Sequence, residues 1–216
     1  MTEKNLVTET INFVKETLKG AEGGHDWFHI QRVFNNARQI AQNEEVNILV
    51  VELAALLHDI ADPKFHNGDE SLGPQTAKNF LLEQNVASDI TEHIVNIIKY
   101  MSFKNSLEKG EKFVSKELHV VQDADRLDAI GAIGIARTFN YGGYKNRELY
   151  NPEVPPNLNM SKEEYKNSNA PTINHFYEKL LLLKDKMNTQ TGRDLAEERH
   201  QFMLDYLKQF YKEWNA

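Results

Sequence analysis

Apolar residues recur along the first part of the chain with the spacing of amphipathic helices. Residues 7–18 place apolar side chains at i, i+4, i+7 and i+11, and a glycine follows as a stop signal. After the Gly23-Gly24 break, a second apolar stripe begins at Ile30 and continues to about Asn43. The pattern predicts two amphipathic helices, of which the second carries His29.

The segment from Ile48 to Ile60 is almost continuously apolar and ends in His58-Asp59. It is too long for an ordinary strand, and a helix that is apolar all round is typical of the centre of a helical core. We therefore predict a buried central helix whose end presents His58 and Asp59.

Helical patterns continue in the middle of the chain. One covers Pro74–Gln84, and the next follows Ser88, a residue suited to capping, and reaches Met101. A third covers Lys116–Asn140, where several small residues permit close packing. The sequence therefore predicts three further helices in this part of the chain.

The composition changes over residues 141–170, which are rich in Gly, Pro, Asn and charged residues. A loop of this length is commonly functional or disordered. Two apolar stripes with helical spacing follow, over residues 173–187 and 195–214. Because no alternating pattern of convincing strand length occurs anywhere, the sequence predicts one all-α domain.

Composition narrows the function. The chain has 216 residues, 40% of them hydrophobic, which is enough for a sizeable core and excludes intrinsic disorder. Its net charge of −7 argues against a basic-patch nucleic-acid binder. With no cysteine, any metal must be held by His and carboxylate, and a reducing cytoplasmic location is expected. No targeting segment and no apolar stretch of membrane-spanning length is recognised.

Four polar residues lie where an apolar helical face is expected to turn inward: His29, His58, Asp59 and Asp123. A buried, unpaired carboxylate is costly, so a buried set of His and Asp is typical of a bound cation. Two imidazoles and two carboxylates suit one divalent ion in octahedral geometry, such as Mn, Fe, Co, Ni or Mg, whereas Zn more often takes four ligands. Spacing alone leaves open whether His25 or His29 is the ligand, because the two can share one helix face.

Three segments of the chain, in order, resemble the HD-domain metal-dependent phosphohydrolases. They are Gly24-His-Asp-Trp-Phe-His29-Ile-Gln-Arg-Val33, Leu57-His58-Asp59-Ile60 and Asp123-Ala-Asp-Arg-Leu-Asp-Ala-Ile-Gly-Ala132. The similarity is greatest to a bacterial branch in which at least one member resembles a nucleotide pyrophosphohydrolase. The resemblance implies a single HD-type helical bundle over residues 1–216, with the metal-ligand core in about 23–140 and the C-terminal helices of about 171–214 packed on it.

The resemblance also implies one divalent metal ion. It favours His29 over His25 as a ligand, and His25 and Asp26 then become candidates to orient the ligands or to cap the helix. Some HD enzymes hold a second metal with additional histidines, but this chain has Glu70 and Tyr100-Met-Ser102 in the corresponding segments. The implied ligands are His29, His58, Asp59 and Asp123.

For catalysis, the resemblance implies that Asp62, three residues after Asp59, positions or deprotonates the attacking water. A purely structural role for Asp62 in the turn before Pro63 is the alternative. Cationic side chains are expected to hold the phosphate oxygens. The candidates are Lys64, Lys104, Arg126 and Arg147.

The function expected from this resemblance is hydrolysis of a phosphoester or phosphoanhydride, with a nucleotide as the substrate, for example a nucleoside triphosphate that loses pyrophosphate. Two alternatives stay open: a nucleotide or metal sensor without turnover, and an HD-type iron oxygenase. Neither a long nucleic acid nor a membrane is an expected partner. A homodimer is compatible with the sequence, which does not reveal the oligomeric state.

Overall fold

Regular structure in the described residues consists of helices, with no strand. The computed structural model describes residues 2–21, 26–61, 69–101, 113–161, 164 and 168–216. The all-α prediction is confirmed. The helices are α1 (Glu3–Thr17), α2 (Trp27–Ala41), α3 (Ile48–Leu57), α4 (Leu72–Glu83), α5 (Ser88–Tyr100), α6 (Lys116–Asp128), α7 (Gly131–Tyr144), α8 (Asn174–Glu178) and α9 (Gln190–Trp214), with 3-10 segments at Leu180–Leu182 and Lys184–Lys186.

Short polar side chains begin several of these helices. Thr2, Asp26, Asn47 and Thr189 each have extended backbone torsions and accept a hydrogen bond from a backbone N–H in the first helical turn. Such caps satisfy donors that have no partner within the helix. The predicted cap Ser88 is instead the first residue of α5, which has no side-chain cap, so that prediction is wrong.

Helix α3 is the central helix that its apolar sequence predicts. Its residues from Leu53 to Leu57 are all buried, and it packs against α1, α2 and α5. The helix ends at Leu57 with His58 as its C-cap, and residues 58–61 form a turn, so the prediction of a helix to Ile60 overshoots. The functional pair His58-Asp59 therefore lies where the buried helix gives way to a turn.

The prediction of one helix over Lys116–Asn140 is wrong, because the chain breaks between α6 and α7. Ile130 is extended, and Gly131 has a φ of +72°, which favours glycine. A Cβ at Gly134 would come within 3.0 Å of the carbonyl oxygen of Ala129, which is closer than real Cβ atoms approach. The small residues in this segment therefore permit a break between the two helices that a bulkier sequence would not allow.

Two compact units can be distinguished, residues 1–125 and residues 126–216. In the first, besides the contacts of α3, α4 packs against α5. In the second, α7 packs against α9, and an aromatic cluster of Phe139, Phe176, Tyr206 and Phe210 lies in this unit. The single-domain organisation with a core at about 23–140 stays a prediction.

Part of the predicted loop over residues 141–170 is helical, because α7 continues to Tyr144. The described residues after it are tied to the chain near α8: Thr172 donates its backbone N–H and its hydroxyl to the carbonyl of Glu148, and Asn174 donates to the carbonyl of Val154. The prediction of one helix over 173–187 is wrong, since α8 and two 3-10 segments occupy it. Among the described helices, none combines the length and the apolar character needed to cross a membrane.

Candidate metal centre

Three side chains in the first unit converge on one point: His29 from α2, His58 from the C-cap of α3 and Asp125 from α6. Oδ1 of Asp125 lies 3.6 Å from Nε2 of His29 and 3.9 Å from Nε2 of His58. The two imidazole rings meet edge to face, with centroids 5.4 Å apart. Three potential ligand atoms therefore lie within 4.8 Å of one another.

The protonation of His58 follows from its hydrogen bond. Nδ1 of His58 lies 2.9 Å from the carbonyl oxygen of Ala55, one turn earlier. A carbonyl oxygen can only accept, so Nδ1 is the donor, and Nε2 is the nitrogen that can offer a lone pair to a cation. This arrangement is typical of metal-binding histidines, whose second nitrogen is commonly held by a backbone carbonyl.

His29 is held at the first turn of α2, where Asp26 is the N-cap. The carboxylate of Asp26 accepts a hydrogen bond of 3.0 Å from the backbone N–H of His29. The His29 side chain is only 3% exposed. Asp26 therefore fixes the start of the helix that presents His29, which agrees with the capping role considered for it.

Asp125 is the exposed member of the group. Its side chain is 44% exposed, whereas that of His58 is 6% exposed. The group is thus closed on the side of the imidazoles and accessible to solvent at the carboxylate.

The donor set fits one divalent cation. The separations of 3.6 and 3.9 Å are too long for direct hydrogen bonds. Two ligand atoms that each lie about 2.1 Å from one ion are at most about 4.2 Å apart. Imidazole nitrogen and carboxylate oxygen are ligands suited to Mn, Fe, Co and Ni.

Asp125 is absent from the ligands predicted from the sequence, which include Asp59 and Asp123. Among the described residues, the converging group contains neither of these two carboxylates. Asp59 is half-buried, and Asp123 is fully buried on α6. Residues two apart on a helix project about 200° apart, so Asp123 and Asp125 face nearly opposite sides of α6. Asp125 lies in the same motif as Asp123, but no signal in the motif shows which side of α6 faces α2.

Two predicted phosphate contacts have structural partners. Nη1 of Arg126 donates to the carbonyl of Lys186 at 2.6 Å. The guanidinium of Arg147 lies over the ring of Tyr141 and donates to the carbonyl of Ser168. Nε of Arg147 is buried and has no hydrogen-bond partner in the described part of the chain. Their role in substrate binding stays a prediction.

Four predicted site residues lie outside the described residues: His25, Asp62, Lys64 and Lys104.

Two further histidines do not belong to the converging group. Nε2 of His93 lies 3.0 Å from Oγ of Ser115 and 3.5 Å from a carboxylate oxygen of Glu117, which links α5 to the start of α6. Burial, with smaller effects from Lys179 and Arg147, lowers the pKa of His175 to about 3. His175 is therefore neutral near pH 7.

Comparison with known proteins places these residues in a family context. The family model of the HD domain matches residues 27–130, which include all three residues of the converging group. The uncharacterized protein YpgQ of Bacillus subtilis is 38% identical over 99% of this chain and 96% of its own length.

Solved structures show the same similarity. The crystal structure of an HD-superfamily hydrolase from Bacillus thuringiensis has 43% identity and a TM-score of 0.80, with 100% of both chains covered. The structure of B. subtilis YpgQ in complex with ADP has 38% identity and a TM-score of 0.79, with 99% of this chain and 97% of that chain covered.

Proposed function

This chain belongs to the HD-domain family and is an HD-superfamily hydrolase, and from this premise we propose that it hydrolyses a phosphoester or phosphoanhydride bond of a nucleotide with one divalent metal ion. The observation that carries the proposal is the convergence of His29, His58 and Asp125. Two nitrogens and one carboxylate oxygen are aimed at a common point that is partly open to solvent.

In this proposal, the ion is held by His29, His58 and Asp125. The family motif is the reason why Asp59 and Asp123 stay proposed ligands. A bound divalent ion polarises a phosphoryl oxygen and lowers the pKa of a coordinated water. Ala55 contributes by holding the His58 ring with its lone pair on Nε2. Asp62 is proposed to orient the attacking water or to accept its proton, and Asp59 is proposed to take part in catalysis as a ligand of the ion.

A nucleotide substrate is supported by the ADP bound to B. subtilis YpgQ, a protein similar to this chain over nearly its whole length. The phosphates of a nucleotide require cationic partners, and Arg is suited to them because its fork pairs with two oxygens at once. Lys64, Lys104, Arg126 and Arg147 are the proposed partners. A net charge of −7 does not prevent a chain from binding an anion through a local cluster of cations.

The test uses metal-depleted protein, reloaded in turn with Mn²⁺, Co²⁺, Ni²⁺, Fe²⁺ or Mg²⁺, and a panel of nucleoside mono-, di- and triphosphates. Products are followed by phosphorus NMR. We expect turnover that disappears on chelation and returns with at least one metal. Equal turnover in the chelated protein would overturn metal dependence, and binding of metal and nucleotide without any product would favour the sensor.

The matched variants are His58→Gln and His119→Gln, both in the first unit. His58→Gln removes a nitrogen of the converging group, so we expect loss of metal and of turnover. His119 lies on α6 outside this group and serves as the control, which should retain both. Full metal occupancy in His58→Gln would contradict the assignment of the site.

A further inference from the structure

A buried amide connects two of the helices that carry the candidate ligands. Asn36 on α2 is only 8% exposed, and its Nδ2 donates a hydrogen bond of 3.2 Å to the carbonyl oxygen of Ala124 on α6. The two residues are 88 positions apart in the chain, and Ala124 is fully buried. The bond is therefore a long-range polar contact inside the first unit.

Each partner in this hydrogen bond lies on the same helix as one member of the converging group. Asn36 follows His29 by seven residues, which is nearly two helical turns, so the two side chains leave α2 on the same side. Ala124 directly precedes Asp125 on α6. The amide thus joins the face of α2 that presents His29 to the turn of α6 that presents Asp125.

The buried neighbours of Asn36 on α2 are apolar, so an amide is unexpected at this position. Val33, Ala37 and Ile40 are fully buried apolar residues of the same helix. An apolar side chain would pack there without any need for a partner, whereas a buried amide is costly unless it is hydrogen-bonded. Unlike an apolar contact, the hydrogen bond of the amide is directional, because it is made at only one axial and rotational position of α2 relative to α6.

We infer that Asn36 is a positioning residue for the metal site: its bond to Ala124 sets the register of α2 against α6 and so keeps Nε2 of His29 and Oδ1 of Asp125 3.6 Å apart. The inference rests on the proposed function, since it assigns Asn36 a role toward the ion that the converging group would hold. Asn36 itself touches neither metal nor substrate in this role.

The test compares Asn36→Leu and Asn36→Ala with the control Thr10→Val. Leu has the same branched skeleton as Asn and removes the donor, whereas Ala removes the donor and also leaves a cavity. Thr10 is also buried, but its hydroxyl donates to the carbonyl of Leu6 within α1, so the hydrogen bond that is lost lies within one helix. The control thus removes a buried hydrogen bond without changing the register of α2 and α6.

The measurement is the dissociation constant of Co²⁺ and Mn²⁺ for folded protein, together with the absorption bands of bound Co²⁺ and the rise in melting temperature that saturating metal produces. We expect both Asn36 variants to lose about tenfold or more in metal affinity, as for loss of other residues that orient ligands. Their Co²⁺ bands should also shift. Thr10→Val should lower the melting temperature and leave the affinity unchanged.

The outcomes separate the two proposals. If the wild-type protein binds none of Mn²⁺, Co²⁺, Ni²⁺, Fe²⁺ and Mg²⁺, the proposed function fails, and the positioning role fails with it. If the wild type binds metal and Asn36→Leu binds it with equal affinity and equal Co²⁺ bands, the positioning role is overturned. It is also overturned if both Asn36 variants are unfolded even with saturating metal, because Asn36 is then required for folding in general.

Discussion

At the scale of single residues, the two carboxylates of one turn of α6 have opposite surroundings. Asp123 is fully buried and has interaction partners, whereas Asp125 is 44% exposed and lies beside two imidazoles. A carboxylate in the first setting contributes to the packing of the helix, and one in the second is suited to reach a cation. Substitution of each by Asn tests this difference.

We expect Asp125→Asn to weaken metal binding by more than the about 10–100-fold that loss of an outer-shell partner costs, with little change in melting temperature. Asp123→Asn should reduce the free energy of unfolding by about 1–3 kcal/mol, because a fully buried carboxylate that has interaction partners loses its charge. Isothermal titration with Mn²⁺ and thermal unfolding followed by circular dichroism measure the two effects. Unchanged Mn²⁺ affinity in Asp125→Asn would exclude this carboxylate, and reduced Mn²⁺ affinity in folded Asp123→Asn would support its predicted role as a ligand.

At the scale of elements, the break between α6 and α7 determines where the ligand-bearing helix ends. Arg137 and Arg199 donate to the carbonyls of Asp128 and Leu127 in the last turn of α6. Cations are favourable at a helix C-terminus, where carbonyl groups have no partner within the helix. The end of α6 is therefore specified by side chains of α7 and α9 as well as by the glycine at position 131.

The close approach at this break gives a prediction for glycine. A Cβ at Gly134 would come within 3.0 Å of a backbone oxygen, so Gly134→Ala should destabilise the protein by about 1–3 kcal/mol. Gly143 lies in the same helix, and a Cβ added there would meet nothing within 4 Å, so Gly143→Ala should be neutral or stabilising by up to about 1 kcal/mol. Denaturant unfolding of both variants checks the difference, and equal stabilities would contradict the tight turn.

At the scale of the whole molecule, the second unit contains a buried histidine that affects stability in acid. The pKa of His175 is lowered from 6.5 to about 3, first by burial and then by Lys179 and Arg147. Between these two pH values the unfolded chain binds a proton at this position and the folded protein does not. Stability therefore falls as the pH is lowered from about 6.5 toward 3.

We expect His175→Gln to lose part of this acid sensitivity. One proton contributes at most about 1.4 kcal/mol per pH unit, so the slope of unfolding free energy against pH should decrease by up to that amount between about pH 4 and 6. Urea unfolding at several pH values measures the slope. His119→Gln is the comparison, and an identical slope in His175→Gln and the wild type would refute the role of His175.

The sequence by itself determined the helical class and the buried central helix, and its resemblance to a family implied the approach of two histidines. Periodic apolar residues define helices locally, and the continuous apolar run of α3 has no stable place except the core, so His58 had to lie at its end. The ordered motifs with His29, His58-Asp59 and Asp123 were sufficient for the family. The helical class and the central helix depend on neighbours in the chain, which the sequence displays directly.

Only the tertiary structure decided that Asp125 joins the histidines and that the helix after it is interrupted before Gly131. Asp123 and Asp125 are equally good ligands by chemistry, and the side of α6 that faces α2 depends on a contact between residues 88 positions apart, Asn36 and Ala124. The break likewise depends on Arg199 from a distant helix. Local propensity carries no information about such contacts, because their free energy arises only when the helices have packed.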